Sequence, residues 1–310
     1  MTFNKIALNI FFLIFSITHL YGQEQLKPTE FYFVGHAYGS PNKQDKKISD
    51  KLKTFIDKNK NSLVIWGGDF IQNCNDTIEV ERFKIITNKL KNRFVLGNHD
   101  RCIYIRENIL NGGNPNSFEV IGDNLFLYLD TNFIDMKSVV ETLNFTTKQL
   151  NHKYKNVFIF THQAIFSTSN FILLTNSRFN YELPNFFYNQ LKKIMLESES
   201  NFHLFSGDVG AFDYMPFAFY DKESNIYKYA VGLGNKSKHK IIKINLNESY
   251  EVKFLDLITN KEEHLNQYNA AKIRLIYLPR LVQLYLKNNL VNILFFFTIV
   301  FIVYVLKIKK

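Results

Sequence analysis

"FVLGNHDR", residues 94–101, carries an apolar run, Phe94 to Leu96, that stops at a glycine. An amide, an imidazole and a carboxylate follow at once. A buried strand that ends for packing reasons alone has no use for Asn98, His99 and Asp100 side by side. Four other apolar runs end in the same manner. "FYFVGH" (31–36) delivers His36, and "VIWGGDF" (64–70) delivers Asp69. "FIFTHQ" (158–163) delivers Thr161 and His162, and "LFSGD" (204–208) delivers Asp208. One such ending is ordinary turn chemistry, because Gly, Asn and Asp favour turns. Five, with a histidine in three of them, ask for a common cause, and α/β folds place their sites at the carboxyl ends of strands.

The stretches between these runs fit that reading. Three-to-four spacing of apolar residues predicts helices at "ISDKLKTFIDKN" (48–59), "VERFKIITNKL" (80–90), "TTKQLNHKY" (146–154) and "NFFYNQLKKIMLE" (185–197). A further strand is expected at "NLFLYLD" (124–130). Strands alternating with helices argue an α/β layer architecture. After residue 215 the pattern changes to "IYKYAVGL", "KIIKINL" and "YEVKFLDLI", read as antiparallel strands of the same domain. Residues 165–200 are rich in Phe, Asn and Tyr, and form either a cover over a site or a surface excursion.

Carboxylate, amide oxygen and imidazole together suit divalent ions such as Mn, Fe or Zn. No paired cysteine motif points to a structural zinc. One or two such ions would turn a water into a nucleophile near neutral pH and neutralise phosphoryl oxygens during in-line attack on phosphorus.

Gly68-Asp69, Gly97-Asn98-His99-Asp100 about 29 residues later, Thr161-His162 and the Ser206-Gly207 turn, in that order, resemble the calcineurin-like metallophosphoesterases. The resemblance covers roughly residues 30–255 and implies an α/β fold with a two-sheet β core flanked by helices (αββα). It implies that Asp69 bridges two ions, that Asn98 and His162 ligate the second, and that His36 ligates the first. It further implies that His99 protonates the leaving oxygen or grips the phosphate, with Asp100 supporting its loop. The pattern departs from the family at both ends. The first motif, Asp-x-His, reads Val34-Gly35-His36, and the last, Gly-His-x-His, reads Gly207-Asp208-Val209-Gly210. Asp208 still suits a hard metal; Val34 and Gly210 cannot ligate through a side chain. The carboxylate that often orients the catalytic histidine falls near Gln72. The second site thus keeps Asp69, Asn98, His162 and Asp208, the first only His36 and Asp69, so one firm ion and a weaker or absent second are expected. Asp213 is a further candidate for the vacancy. Cys74 and Cys102 fall on the Asp69 and His99 loops. If those loops are neighbours, as the resemblance implies, the pair is either a disulfide clamp or two free thiols.

Charge and hydropathy place the molecule. The 310 residues carry 38 Lys+Arg against 28 Asp+Glu, a net +10. The lysines are scattered rather than striped, which speaks against nucleic acid as a specific partner. Residues 1–22 follow the order of a signal peptide, cleaved after Gly22 or retained as an anchor. Residues 288–306 are uncharged and apolar, the length of a membrane span, with a cytoplasmic tail at 307–310. The body, 23–265, is then expected outside the cytoplasm on a C-terminal transmembrane helix. A juxtamembrane segment at 266–287 is read as either amphipathic or packing against the body. Two functions of different class fit: a membrane-tethered phosphoesterase acting on a phosphate ester, lipid- or envelope-linked, and an inactive ectodomain of the same fold serving as a binding or scaffold module.

Overall fold

The strands and helices stack as two sheets rather than one. The computed structural model describes residues 30–38, 49–60, 62–110, 113–166, 182–210, 217–233, 239–247, 250–273, 275–279, 282–283, 286–287 and 289–290. In the first sheet β1 (Glu30–Val34), β2 (Leu63–Gly67) and β3 (Lys91–Val95) run parallel. β10 (Lys240–Asn245), β11 (Glu251–Asp256) and β12 (Lys261–Glu263) extend it antiparallel from β1. The second sheet has the order β4-β5-β6-β7-β9-β8. Its members are β4 (Ser117–Ile121), β5 (Asn124–Leu129), β6 (Asn156–Thr161), β7 (Asn201–Ser206), β8 (Ala218–Glu223) and β9 (Ile226–Val231). β5, β6, β7 and β9 are parallel. β9 therefore differs from the antiparallel role expected for it, pairing antiparallel only with the edge strand β8.

Alternation along each strand explains the stacking, since successive side chains point to opposite faces. On β1, Phe31 and Phe33 belong to the cluster between the sheets, with Phe126, Phe158, Phe160 and Phe205. The Phe31 and Phe126 rings meet edge to face at 5.2 Å, and Phe160 stacks on Phe205 at 4.9 Å. Such pairs add about 0.5–1.5 kcal/mol beyond the area they bury. Tyr32 and Val34 face the other way, into the cluster under α1 (Asp50–Lys58), α2 (Thr77–Thr87) and α3 (Ile103–Asn108). On the far side α4 (Met136–Leu150) and α5 (Glu182–Glu197) cover the second sheet through Val139, Phe187, Leu191 and Met195. With both faces of β1, β2, β5 and β6 buried, their near-continuous apolar runs follow, whereas β3 at the sheet's edge leaves Lys91 and Arg93 exposed.

Three of the helices, α1, α2 and α4, start on side-chain caps. The Ser49 hydroxyl accepts from Leu52 N at 3.2 Å, Asp76 from Ile78 N and Glu79 N, and Asp135 closes a capping box with Ser138.

The carboxyl ends of β1 and β2 meet those of β6 and β7 across the sandwich. The backbones touch there: a Cβ on Gly207 would lie 2.0 Å from the Gly67 carbonyl oxygen. Only glycine permits that approach.

Among the described residues no helix is long and apolar enough to cross a membrane. The expected signal peptide at 1–22 lies outside the described residues, as does all but 289–290 of the expected span. In the segment before it, Ile273 and Tyr277 pack into the second sheet's helical cluster, while Leu275 is 78% exposed.

Candidate metal centre

Asp69 lies at the tip of β2 in a left-handed conformation, φ 52°, and His36 at the tip of β1 has φ 49°. Non-glycine residues adopt this region at a cost of roughly 1–3 kcal/mol each and keep it where the surroundings impose it. Here the surroundings are named. Asp100, fully buried, accepts from the Asp69 N–H at 2.6 Å and the Gly97 N–H at 2.9 Å through one oxygen, Oδ2. His36 N–H donates to the Gly68 carbonyl at 3.2 Å. Gly97 is a glycine because a Cβ there would meet Asp69 Oδ1 at 2.1 Å.

The two oxygens of Asp69 face different imidazoles. Oδ2 lies 3.7 Å from His36 Nε2 and Oδ1 lies 3.5 Å from His162 Nε2. Beyond His162 Nε2 come Asp208 Oδ1 at 3.7 Å and Asn98 Oδ1 at 3.2 Å. The ligand atoms of Asp69, His162 and Asp208 all fall within 4.8 Å of one another, and all three residues are buried. His162 Nδ1 is taken by the Gly67 carbonyl at 2.9 Å, which leaves Nε2 as the nitrogen presented to the carboxylates.

The donor set fits a divalent cation. Two buried carboxylates converging on one imidazole nitrogen are costly unless a positive charge joins them. The buried Nδ1 of His36 also has no hydrogen-bond partner among the described residues. The four expected ligands of the second site are therefore assembled, while the first has only His36 and the shared Asp69. Val34, where the family carries Asp, belongs to the apolar cluster of Trp66 and Phe70. Gly210, where the family carries His, has φ 85°, and a Cβ there would press on Phe217 at 3.0 Å. Asp213 lies outside the described residues.

His99 is half-buried and fixed at both backbone and ring. Its N–H donates to Asp69 Oδ1 at 3.1 Å, and its Nδ1 lies 2.8 Å from the Gln72 carbonyl oxygen. The orienting group is thus the backbone carbonyl of Gln72, near the position where the family often carries a carboxylate. Tyr38, which the motifs did not point to, places its ring 4.4 Å from that of His36 and 5.5 Å from that of His99. Cys74 and Cys102 are neighbours and stand as free thiols, Cys102 Sγ lying 3.0 Å from the Cys74 carbonyl oxygen. Beside Asn98 opens a cleft of about 680 Å³ lined in part by Asn75, Arg101, Cys102, Tyr104 and Glu107.

Two expected outcomes follow from the buried charges. Burial disfavours a charge on His162, but Asp69 and Asp208 outweigh it and raise its proton affinity above the usual histidine value. A cation reaching Nε2 must displace that proton at any pH below the raised pKa. Burial, only partly offset by Asp69, instead holds His36 at about 4, so it is already neutral there. Affinity for Mn2+ should therefore fall roughly tenfold per pH unit on acidification below the raised His162 pKa, one proton per ion. Calorimetric titration at several pH values measures the slope; a slope of two protons would contradict this division between the histidines.

Burial and the charge of Asp69 push the Asp100 carboxyl well above the usual carboxylate range. Its task is therefore structural: Asp100→Ala strands two buried N–H groups and should cost about 2–4 kcal/mol in urea denaturation. A loss below ~1 kcal/mol would mean that water replaces the bracket.

The family model for calcineurin-like phosphoesterases matches residues 18–288. No match to a curated protein was found. Among solved structures, a predicted phosphoesterase from Streptococcus pneumoniae TIGR4 is similar at 14% identity and a TM-score of 0.36, covering 76% of this chain and 92% of its own. A single mutant of Vps29 from Entamoeba histolytica is similar at 10% identity and a TM-score of 0.36, covering 76% of this chain and 96% of its own.

Proposed function

The chain belongs to the calcineurin-like phosphoesterase family, and from that premise we propose that it is a metal-dependent hydrolase of a phosphate ester. The observation that carries the reading is the convergence of Asp69, Asn98, His162 and Asp208 on the His162 Nε2 position. When bound, a divalent cation supplies positive charge to phosphoryl oxygens and acidifies water for attack on phosphorus. The protein's own residues do the rest. Asp69 is held by Asp100 with its two oxygens divided between two imidazoles. His162 is fixed by the Gly67 carbonyl in the tautomer that exposes Nε2. His99, with Nδ1 committed to Gln72, offers Nε2 as the proton donor to the leaving oxygen. The cleft beside Asn98 receives the leaving group, and Arg101 on its wall suits one that is anionic.

We place this activity at a membrane. The apolar run 288–306 supports a C-terminal anchor, the order of residues 1–22 supports export, and together they favour a lipid- or envelope-linked phosphate ester. Hydrolysis of a chromogenic phosphomonoester and phosphodiester by the purified chain, with Mn2+ and with chelator, tests the reading. Turnover of either ester that chelator abolishes supports it. Folded protein that turns over neither ester in Mn2+ overturns it. In that event the second reading takes over, a binding or scaffold module. The observation favouring it is the first site, where Val34 and Gly210 stand in place of ligands.

A further inference from the structure

We propose that Glu79 is the positioning residue of His99, acting through the peptide group that joins Gln72 to Asn73. The inference rests on the reading of His99 as the group that protonates the leaving oxygen. Both polar ends of that peptide are engaged. Its carbonyl oxygen lies 2.8 Å from His99 Nδ1, and its N–H donates to Glu79 Oε2 at 3.2 Å. The preceding N–H, that of Gln72, donates to Glu79 Oε1 at 3.0 Å. One buried carboxylate thus holds two consecutive amides, and the second amide presents its carbonyl to the imidazole.

A trans peptide points its N–H and C=O in opposite directions. Carboxylate, peptide and imidazole therefore form a chain of aligned dipoles. Negative charge at the N–H end polarises the amide and strengthens the bond its carbonyl accepts, as linked hydrogen bonds do in a low-dielectric interior. The effect on His99 is the same in kind as that of a carboxylate in direct contact, delivered one peptide further out. It fixes the ring and keeps the proton on Nδ1, so that Nε2 is the nitrogen turned toward the leaving oxygen.

The local sequence leaves Glu79 available for this. It is the third residue of α2, the position from which a glutamate usually bonds back to the N-cap N–H. That N–H, of Asp76, donates instead to the Asn73 carbonyl at 3.0 Å, and Asp76 caps the helix alone through Ile78 N and Glu79 N. Glu79 reaches past the cap to the loop that carries Gln72.

A brace for the loop would also use these bonds, so the test must read the imidazole itself. Nitrogen-15 spectra of the metal-free full chain report the tautomer of His99. The expected result is a proton on Nδ1, with its resonance moved upfield by Glu79→Gln, which keeps the shape, removes the charge and turns one of the two acceptors into a donor. In the metal-loaded protein Glu79→Gln should lower kcat on an alkyl phosphate roughly 10–100-fold. The loss should be smaller on a nitrophenyl phosphate, whose leaving group needs little protonation, and KM should be unchanged. In a His99→Ala background the same substitution should add no further loss. Should Glu79→Gln fail to fold, Glu79→Asp keeps the charge and should keep the wild-type preference between the two esters. A proton on Nε2 alone in the wild type overturns the proposal, as does an unmoved resonance in Glu79→Gln. Equal losses on both esters that persist without His99 overturn it too. If no ester is turned over at all, the activity reading has failed, and the imidazole spectra still decide whether Glu79 acts on His99.

Discussion

Asp69→Asn is expected to abolish ion binding and to lower turnover by about 10³–10⁴, or roughly 4–5.5 kcal/mol in the barrier. Its two oxygens are divided between His36 and His162, and Oδ1 also accepts from the His99 N–H. An asparagine keeps one oxygen and turns an NH2 donor toward an imidazole nitrogen that must accept a cation. One ligand is lost to both sites at once, and the converging group of Asp69, His162 and Asp208 loses half its carboxylate charge. The same change should leave the fold intact. The charge of Asp69 already works against the ionised form of neighbouring Asp100, and its removal relieves that repulsion. It also removes the attraction of Asp69 for a proton on His162, so metal-free Asp69→Asn should stay folded and melt close to metal-free wild type. Elemental analysis, steady-state kinetics and a melting curve on one preparation check all three statements. A variant that retains its ion and its activity would show that Asp69 does not bridge.

His99→Ala should separate chemistry from metal binding. Its ring contacts the Gln72 carbonyl and lies against the ring of Tyr38. Removing it should cost about 10²–10⁴ in kcat on an ester with a poor leaving group. The loss should shrink as the leaving group improves, with ion stoichiometry unchanged. The measurement is a series of aryl and alkyl phosphates with graded leaving-group acidity. A uniform loss across the series would assign His99 to gripping the phosphate rather than to proton transfer.

The candidate site was legible because it is written in side chains at strand ends. The apolar runs before His36, Asp69, Asn98, His162 and Asp208 became β1, β2, β3, β6 and β7, whose carboxyl ends meet as the α/β reading required. The departures at Val34 and Gly210 were equally visible, and packing and backbone angle give them a physical basis. What escaped the sequence lacks a side-chain signature. The group facing His99 Nδ1 is the carbonyl of Gln72, which any residue could supply. β4, β8 and β12 lie at the sheets' edges, where β4 alternates polar and apolar residues, β8 turns charged from Asp221 and β12 is Lys-Glu-Glu, so none gives a sustained apolar run. α4 begins at Met136, ten residues before the helix expected at 146, although Asp135 and Ser138 form a readable cap. Tyr38 falls two residues past His36, where a motif read by ligands alone does not look.

The central claim is that Asp69, Asn98, His162 and Asp208 hold a divalent ion. Anomalous diffraction at the manganese edge from crystals grown with Mn2+ tests it most directly. The expected result is a strong peak enclosed by Asp69 Oδ1, Asn98 Oδ1, His162 Nε2 and the Asp208 carboxylate, with a weaker peak or none between Asp69 Oδ2 and His36. A molecule with no peak among Asp69, Asn98, His162 and Asp208, or with its ion held by other side chains, would contradict it.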